Sequence, residues 1–185
     1  MDHIPSIGSV MTPFPHVVQV DDSVLVAHAR MVELGVRHLP VMKGNALLGV
    51  LVRQGKLRMD APAPVAAWQA AGDGRRAITL DHLLRMQSGL DLGDSLAASL
   101  STAWDPSARM VFNEPDMAGF AAAAPLASPP GTVWKYANGN PAILARIVRD
   151  QAGGNAAGVL RFARRELLGP LGIRRATLEV DATGT

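Results

Sequence analysis

The chain is expected to be α+β, with a small strand–helix–strand unit followed by a mainly helical part. Three observations predict this. His16 to Val20 alternates and is rich in β-branched residues, the pattern of a short strand. Val24, Ala27, Met31 and Leu34 then fall on one helical face. Beyond residue 60 the spacing is helical, as in Ile143, Leu144, Ile147 and Val148 after Asn140-Pro141.

Taken in order, Val10-Met11-Thr12-Pro13-Phe14-Pro15 is a turn, because Pro13 and Pro15 fix φ and bar a helix. Asp21-Asp22-Ser23 offers side-chain oxygens to the orphan amides of a helix start, and Gly35 suits its left-handed cap. Val36 to Met42 leads into a second strand. Leu47 to Val52 reads as a third strand or as a helix, since periodicity cannot separate the two over so short a run. Thr79 caps a helix carrying Leu80, Leu83 and Leu84 that closes near Ser88-Gly89. Residues 91 to 111 show no clean period and read as a long loop with broken helix. Pro115 opens an Ala-rich helix through Ala123, and Ser128-Pro129-Pro130-Gly131-Thr132 is a turn. Asn140-Pro141 reads as an N-cap with Pro at the first helical position, and Gly153-Gly154 closes that helix. A final helix runs from about Ala156 to Leu168 and stops before Gly169-Pro170, and no internal repeat is visible.

Composition narrows the function classes. A chain of 185 residues is one domain or two small ones, and 48% hydrophobic against 18% charged residues supplies a core. A net charge of +2 gives no basis for nucleic-acid binding, and the run Arg161 to Arg165 is expected to coat a solvated helix face. Without Cys there is no disulfide framework and no Cys-based metal site, so no metal is expected. The start Met-Asp-His-Ile-Pro has neither the basic nor the apolar region of a signal peptide. Leu47 to Val52 is too short to span a membrane, so a cytoplasmic protein without a membrane partner is expected.

Val10-Met11-Thr12-Pro13, Asp21-Asp22-Ser23, Gly35-Val36-Arg37-His38-Leu39-Pro40-Val41 and Leu48-Gly49-Val50-Leu51 together resemble one cystathionine-β-synthase-type (CBS) repeat, about residues 1–52. The resemblance implies a regulatory adenine-nucleotide site, binding AMP or ATP, in a module of two paired repeats. One repeat would then pair with a second chain as a homodimer. The ribose-holding Ser or Thr and Asp of that family are replaced here by Val52 and Gly55, whose side chains accept no hydrogen bond. No cofactor is therefore expected, with AMP or ATP as the alternative.

A second set of motifs covers about residues 44–185, with its own domain expected over 53–185. Gly55-Lys56-Leu57 with Asp60, Ile78-Thr79-Leu80-Asp81-His82-Leu83-Leu84, Ser88-Gly89-Leu90, Pro129-Pro130-Gly131-Thr132-Val133-Trp134-Lys135-Tyr136-Ala137-Asn138 and Gly169-Pro170-Leu171-Gly172-Ile173 occur in order. This order resembles the serine hydrolases related to class C β-lactamases and penicillin-binding proteins. It implies a mainly helical piece lacking most of its sheet, because the family's Lys-Thr-Gly or His-x-Gly strand does not appear before Thr185. The family's chemistry attacks an amide or ester carbonyl with a Ser activated by a Lys one turn later, through an acyl-enzyme. By motif match, Tyr136 is the proton shuttle and Asn138 the substrate-orienting amide, placed on one side of an extended segment by their spacing. The nucleophile Ser and base Lys are missing. In register with the helix expected at Asn45 to Val52, His38 stands at the Ser position and Val41 at the Lys position. None of Lys43, Lys56 and Lys135 has a Ser three residues before it, and no Gly-x-Ser-x-Gly elbow exists.

Three functional classes follow. The leading expectation is a serine-hydrolase relative that does not turn over its small amide or ester substrate. The alternatives are a CBS-type nucleotide-binding regulatory module and a fusion product without a selected function.

Overall fold

The computed structural model describes residues 46–70, 72–93, 105–174, 176 and 178–185. The strands and helix expected before residue 45, with His38 and Val41, lie outside the described residues. The chain divides between Ala46 and Leu47, and the described residues belong to the second unit apart from Ala46 itself.

Leu47 to Val52 is helical, within α1 (Ala46–Arg53). Its burial pattern explains the choice. Leu48 and Leu51 are buried while Gly49 between them is exposed, and residues three apart share a helix face but not a strand face. The amide of Gly55 donates to Val52 O at 2.9 Å and that of Lys56 to Leu51 O at 3.0 Å, the paired bonds of a Schellman cap. Gly55 takes the left-handed φ of 71° that such a cap requires.

After α1 come two short 3₁₀ turns, Ala66–Trp68 and Gly74–Ala77. Trp68 is fully buried, and its indole Nε1–H donates to Ala122 O at 2.8 Å. Helix α2 (Leu80–Leu84) is capped as expected by Thr79. Thr79 Oγ1 accepts from the His82 amide at 3.1 Å, and His82 Nδ1 accepts from the Thr79 amide at 3.3 Å, so an imidazole completes the reciprocal box. Its buried Leu80 and Leu83 sit in one core with Leu48, Leu51, Ile78 and Ile143.

Three helix starts differ from the sequence reading. Within the segment read as loop with broken helix, Asp105 caps a regular helix α3 (Pro106–Asn113) and accepts from the Ser107 amide at 2.8 Å. The apolar period is weak there because only Ser107 and Met110 are buried. Helix α4 (Met117–Ala123) starts after Asp116 rather than at Pro115, because the Asp116 carboxylate takes the Gly119 amide at 2.7 Å. Helix α5 (Gly139–Gln151) is preceded by Asn138, not Asn140, so Asn140 lies inside the first turn and is buried. Its stripe Ile143, Leu144, Ile147 and Val148 is buried as expected, and it packs on α2 and α4. Helix α6 (Ala156–Ala163) passes into a wider π-helical turn, Arg164–Leu168, where one helix was expected. Arg161, Arg164 and Arg165 are exposed beside buried Phe162 and Ala163.

Charged groups close the ends. Arg75 Nη1 donates to the carbonyls of Ala122, Ala123 and Ala124 at 3.2 Å each, meeting the negative end of α4. Asp73 holds that guanidinium at 2.7 Å, and the hydrogen bond from Arg75 keeps the Asp73 carboxyl below its ordinary range. The segment Asp181–Thr185 is bound onto α4 and α5. Arg146 Nε donates to Thr185 Oγ1 at 2.7 Å, Arg149 Nη1 to Thr183 O at 2.9 Å, and Arg146 also pairs with Asp116. Among the described residues, strand pairing is limited to the isolated antiparallel bridges Pro62–Thr79 and Leu90–Leu126. The described part is mainly helical and without a sheet, as the fold class required.

Candidate functional site

The candidate site lies on the segment between the Ser128–Gly131 turn and α5. Thr132 Oγ1 donates to Pro129 O at 2.7 Å, which closes the turn. The Lys135 amide donates to Met86 O at 2.9 Å and the Gly131 amide to Gln87 O at 2.8 Å, fastening the segment to the stretch after α2. On its other side that stretch receives the amides of Ala127 and Ser128 on Gly89 O, at 2.8 and 3.2 Å.

Tyr136 and Asn138 flank buried Ala137. Tyr136 is exposed at 38%, and its hydroxyl has no hydrogen-bond partner among the described residues. Asn138 is half-buried, and its Nδ2 donates to Ser107 Oγ at 3.2 Å, reaching the first turn of α3. Ser107 is itself buried. The Asn138 amide therefore meets a serine that sequence reasoning overlooked. The signal was present in Asp105-Pro106, an N-cap followed by Pro at the first helical position.

On the opposite side of the segment, Val133, Lys135 and Ala137 line a cavity of about 240 Å³ together with Met86, Ser88, Gly89, Leu90 and Asn140. Two of its lining residues, Asn140 and Ser88, are polar and buried. Asn140 Nδ2 donates to Met86 Sδ at 3.3 Å, and Asn140 Oδ1 is buried without a partner among the described residues. An unpaired buried carbonyl of this kind costs about 1–3 kcal/mol. Ser88 Oγ accepts from the Leu90 amide at 3.4 Å. Met86 takes a positive φ of 57°, a conformation disfavoured for a residue with a side chain. Gly89 has a φ of 77°, and a Cβ there would stand 2.2 Å from Ser128 O, so only glycine fits. Among the described residues no group of three or more His, Cys, Asp or Glu side chains could hold a metal ion.

Comparison with known families agrees with this architecture. The Beta-lactamase family model matches residues 44–185, and the CBS domain model matches residues 7–54. The chain belongs to the beta-lactamase family and carries a CBS domain ahead of it. The two matches overlap over residues 44–54, which contain the whole of α1. No curated protein matches the chain.

Proposed function

We propose that the chain is a relative of the serine hydrolases that cleave amides or esters through an acyl-enzyme, and that it does not turn substrate over. One observation carries this reading. Residues 46–53 are the helix α1, and in the family's register the activated Ser and Lys lie just before it, at positions occupied by His38 and Val41. Neither side chain does the work of the residue it replaces. Val41 holds no proton, and a serine elsewhere without an adjacent base is a poor nucleophile at neutral pH. Tyr136 and Asn138 keep the motif positions of proton shuttle and orienting amide, but they have no nucleophile to serve. The test is incubation with a fluorophosphonate and with a penicillin, followed by intact mass. The expected result is an unmodified mass. A stoichiometric adduct, on Ser107 or on any other serine, would overturn the proposal.

The CBS match over residues 7–54 favours a second reading, a nucleotide-regulated module that pairs as a homodimer in the cytoplasm. Against it stands the Schellman cap of α1, which uses Gly55 as a left-handed glycine where the family places its ribose-binding Asp. AMP or ATP at 100 times its dissociation constant would add about 2.7 kcal/mol of stability. An unchanged melting temperature at millimolar nucleotide is expected, and a saturable rise would favour the second reading.

A further inference from the structure

The cavity behind the Tyr136 segment is lined by alternate residues of that segment. Val133, Lys135 and Ala137 line it, whereas Tyr136 and Asn138 do not. Main-chain hydrogen bonds tie its walls together. The Lys135 amide donates to Met86 O at 2.9 Å, and the amides of Ala127 and Ser128 donate to Gly89 O at 2.8 and 3.2 Å. The space of about 240 Å³ is therefore built into the backbone rather than opened by a ligand. Met86 is the one non-glycine residue with a positive φ among the described residues, and strain of this kind gathers at ligand clamps. The lining that solvent reaches is apolar apart from one charge. Val133 and Ala127 are exposed and Met86 is half-buried. Lys135 is exposed, is the only charged residue of the lining, and makes no ion pair among the described residues.

We propose that this cavity binds a small monocarboxylate with an apolar body. The carboxylate would accept from Lys135 Nζ at the mouth, and the body would rest on Val133, Ala127 and the Met86 side chain. Each of these residues is exposed or half-buried, so the ligand reaches them without opening the core. The buried Asn140 and Ser88 take no part. The sign of the ligand follows from the lining. A carboxylate meets a cation that has no counter-charge beside it, an ammonium meets a like charge, and a neutral head gains neither. Size permits the ligand. A dry cavity of about 150 Å³ accommodates benzene, so about 240 Å³ leaves room for a ring with its carboxylate at the mouth. The absence of Tyr136 and Asn138 from the lining separates this site from the motif residues of the hydrolase-like site.

Benzoate is the probe, titrated into the full chain at low salt while ligand-observed NMR and the melting temperature are followed. Benzamide and benzylamine, of similar shape, are the neutral and cationic controls. Saturable benzoate binding is expected, about two- to fivefold tighter than that of benzamide, as a partly exposed charge pair allows. Benzylamine should bind more weakly than either. Added salt should narrow the gap between benzoate and benzamide, because it screens the pair. Lys135→Met should make the two equal, and Lys135→Glu should reverse the order of benzoate and benzylamine. Ala127→Trp, at an exposed position on the cavity wall, should block benzoate without changing any charge. Absence of saturable benzoate binding, equal binding of benzoate and benzamide to the parent, an unchanged preference in Lys135→Met, or full binding to Ala127→Trp would each overturn the proposal. If a variant does not fold, the three ligands compared on the parent chain at low and high salt decide it.

Discussion

Gly49 provides a test of the step on which the functional reading depends, the helical state of residues 46–53. It sits in the middle of α1, is exposed, and an added Cβ would meet nothing within 4 Å. Substitution there changes no packing, so only backbone preference remains. In a helix Gly49→Ala should stabilise by about 0.5–1 kcal/mol, because the unfolded chain loses freedom that the folded helix never used. For a chain of this size that is a rise in melting temperature of about 1–4 °C. Gly49→Val sharpens the test. A β-branched residue loses χ1 freedom in a helix, so the valine variant should lie below the alanine variant by roughly 0.5 kcal/mol. In a strand the order reverses, since valine is favoured and alanine is not. Equilibrium urea unfolding of both variants reads the order directly. A valine variant more stable than the alanine variant would refute the helix, and with it the register that places His38 and Val41.

Two further outcomes follow from the geometry. Gly89→Ala forces a Cβ to within 2.2 Å of Ser128 O at a φ of 77°. Backbone strain alone should cost roughly 1–3 kcal/mol, seen as a lower urea midpoint at an unchanged slope. Asp181 concerns acid stability. Burial pushes its carboxyl up, but hydrogen bonds from the Thr183 side chain and from the amides of Thr185, Thr183 and Met117 outweigh this and hold it below the ordinary range. A carboxyl lowered in the folded state contributes stability above its unfolded value, near pH 4, and loses it as pH falls through the lower folded value. The melting temperature of Asp181→Asn should therefore lie below that of the parent at neutral pH, with the gap closing as pH falls below about 4. A gap that stays constant down to acid pH would remove the carboxylate from this account.

Several elements could be read because their signals are local. The Thr79 cap, the Ser128–Gly131 turn and the buried stripe of α5 each rest on residues within a few positions of one another. No regular helix was expected at α3, and the starts of α4 and α5 were expected at Pro115 and after Asn140 rather than after Asp116 and Asn138. Asp105 and Asp116 hold those boundaries by accepting the Ser107 and Gly119 amides, while Asn138 makes no side-chain cap bond. At α5 the shift has a chemical consequence, since Asn140, expected as the cap, is instead a buried polar residue inside the first turn. Ser107 was overlooked because its meeting with Asn138 joins positions 31 residues apart, and no local pattern carries that contact.

By itself the sequence determined the family and the motif residues Tyr136 and Asn138, because motif order survives in the chain whatever the packing. It also determined that no Lys follows a Ser at the required spacing. Tertiary structure alone decided the state of Leu47 to Val52. Six apolar residues satisfy either a strand or a helix, and the choice lies in which side chains are buried. Leu48 and Leu51 enter a core built by Trp68, Ile78, Leu80, Leu83 and Ile143, and that shared burial holds α1 as a helix.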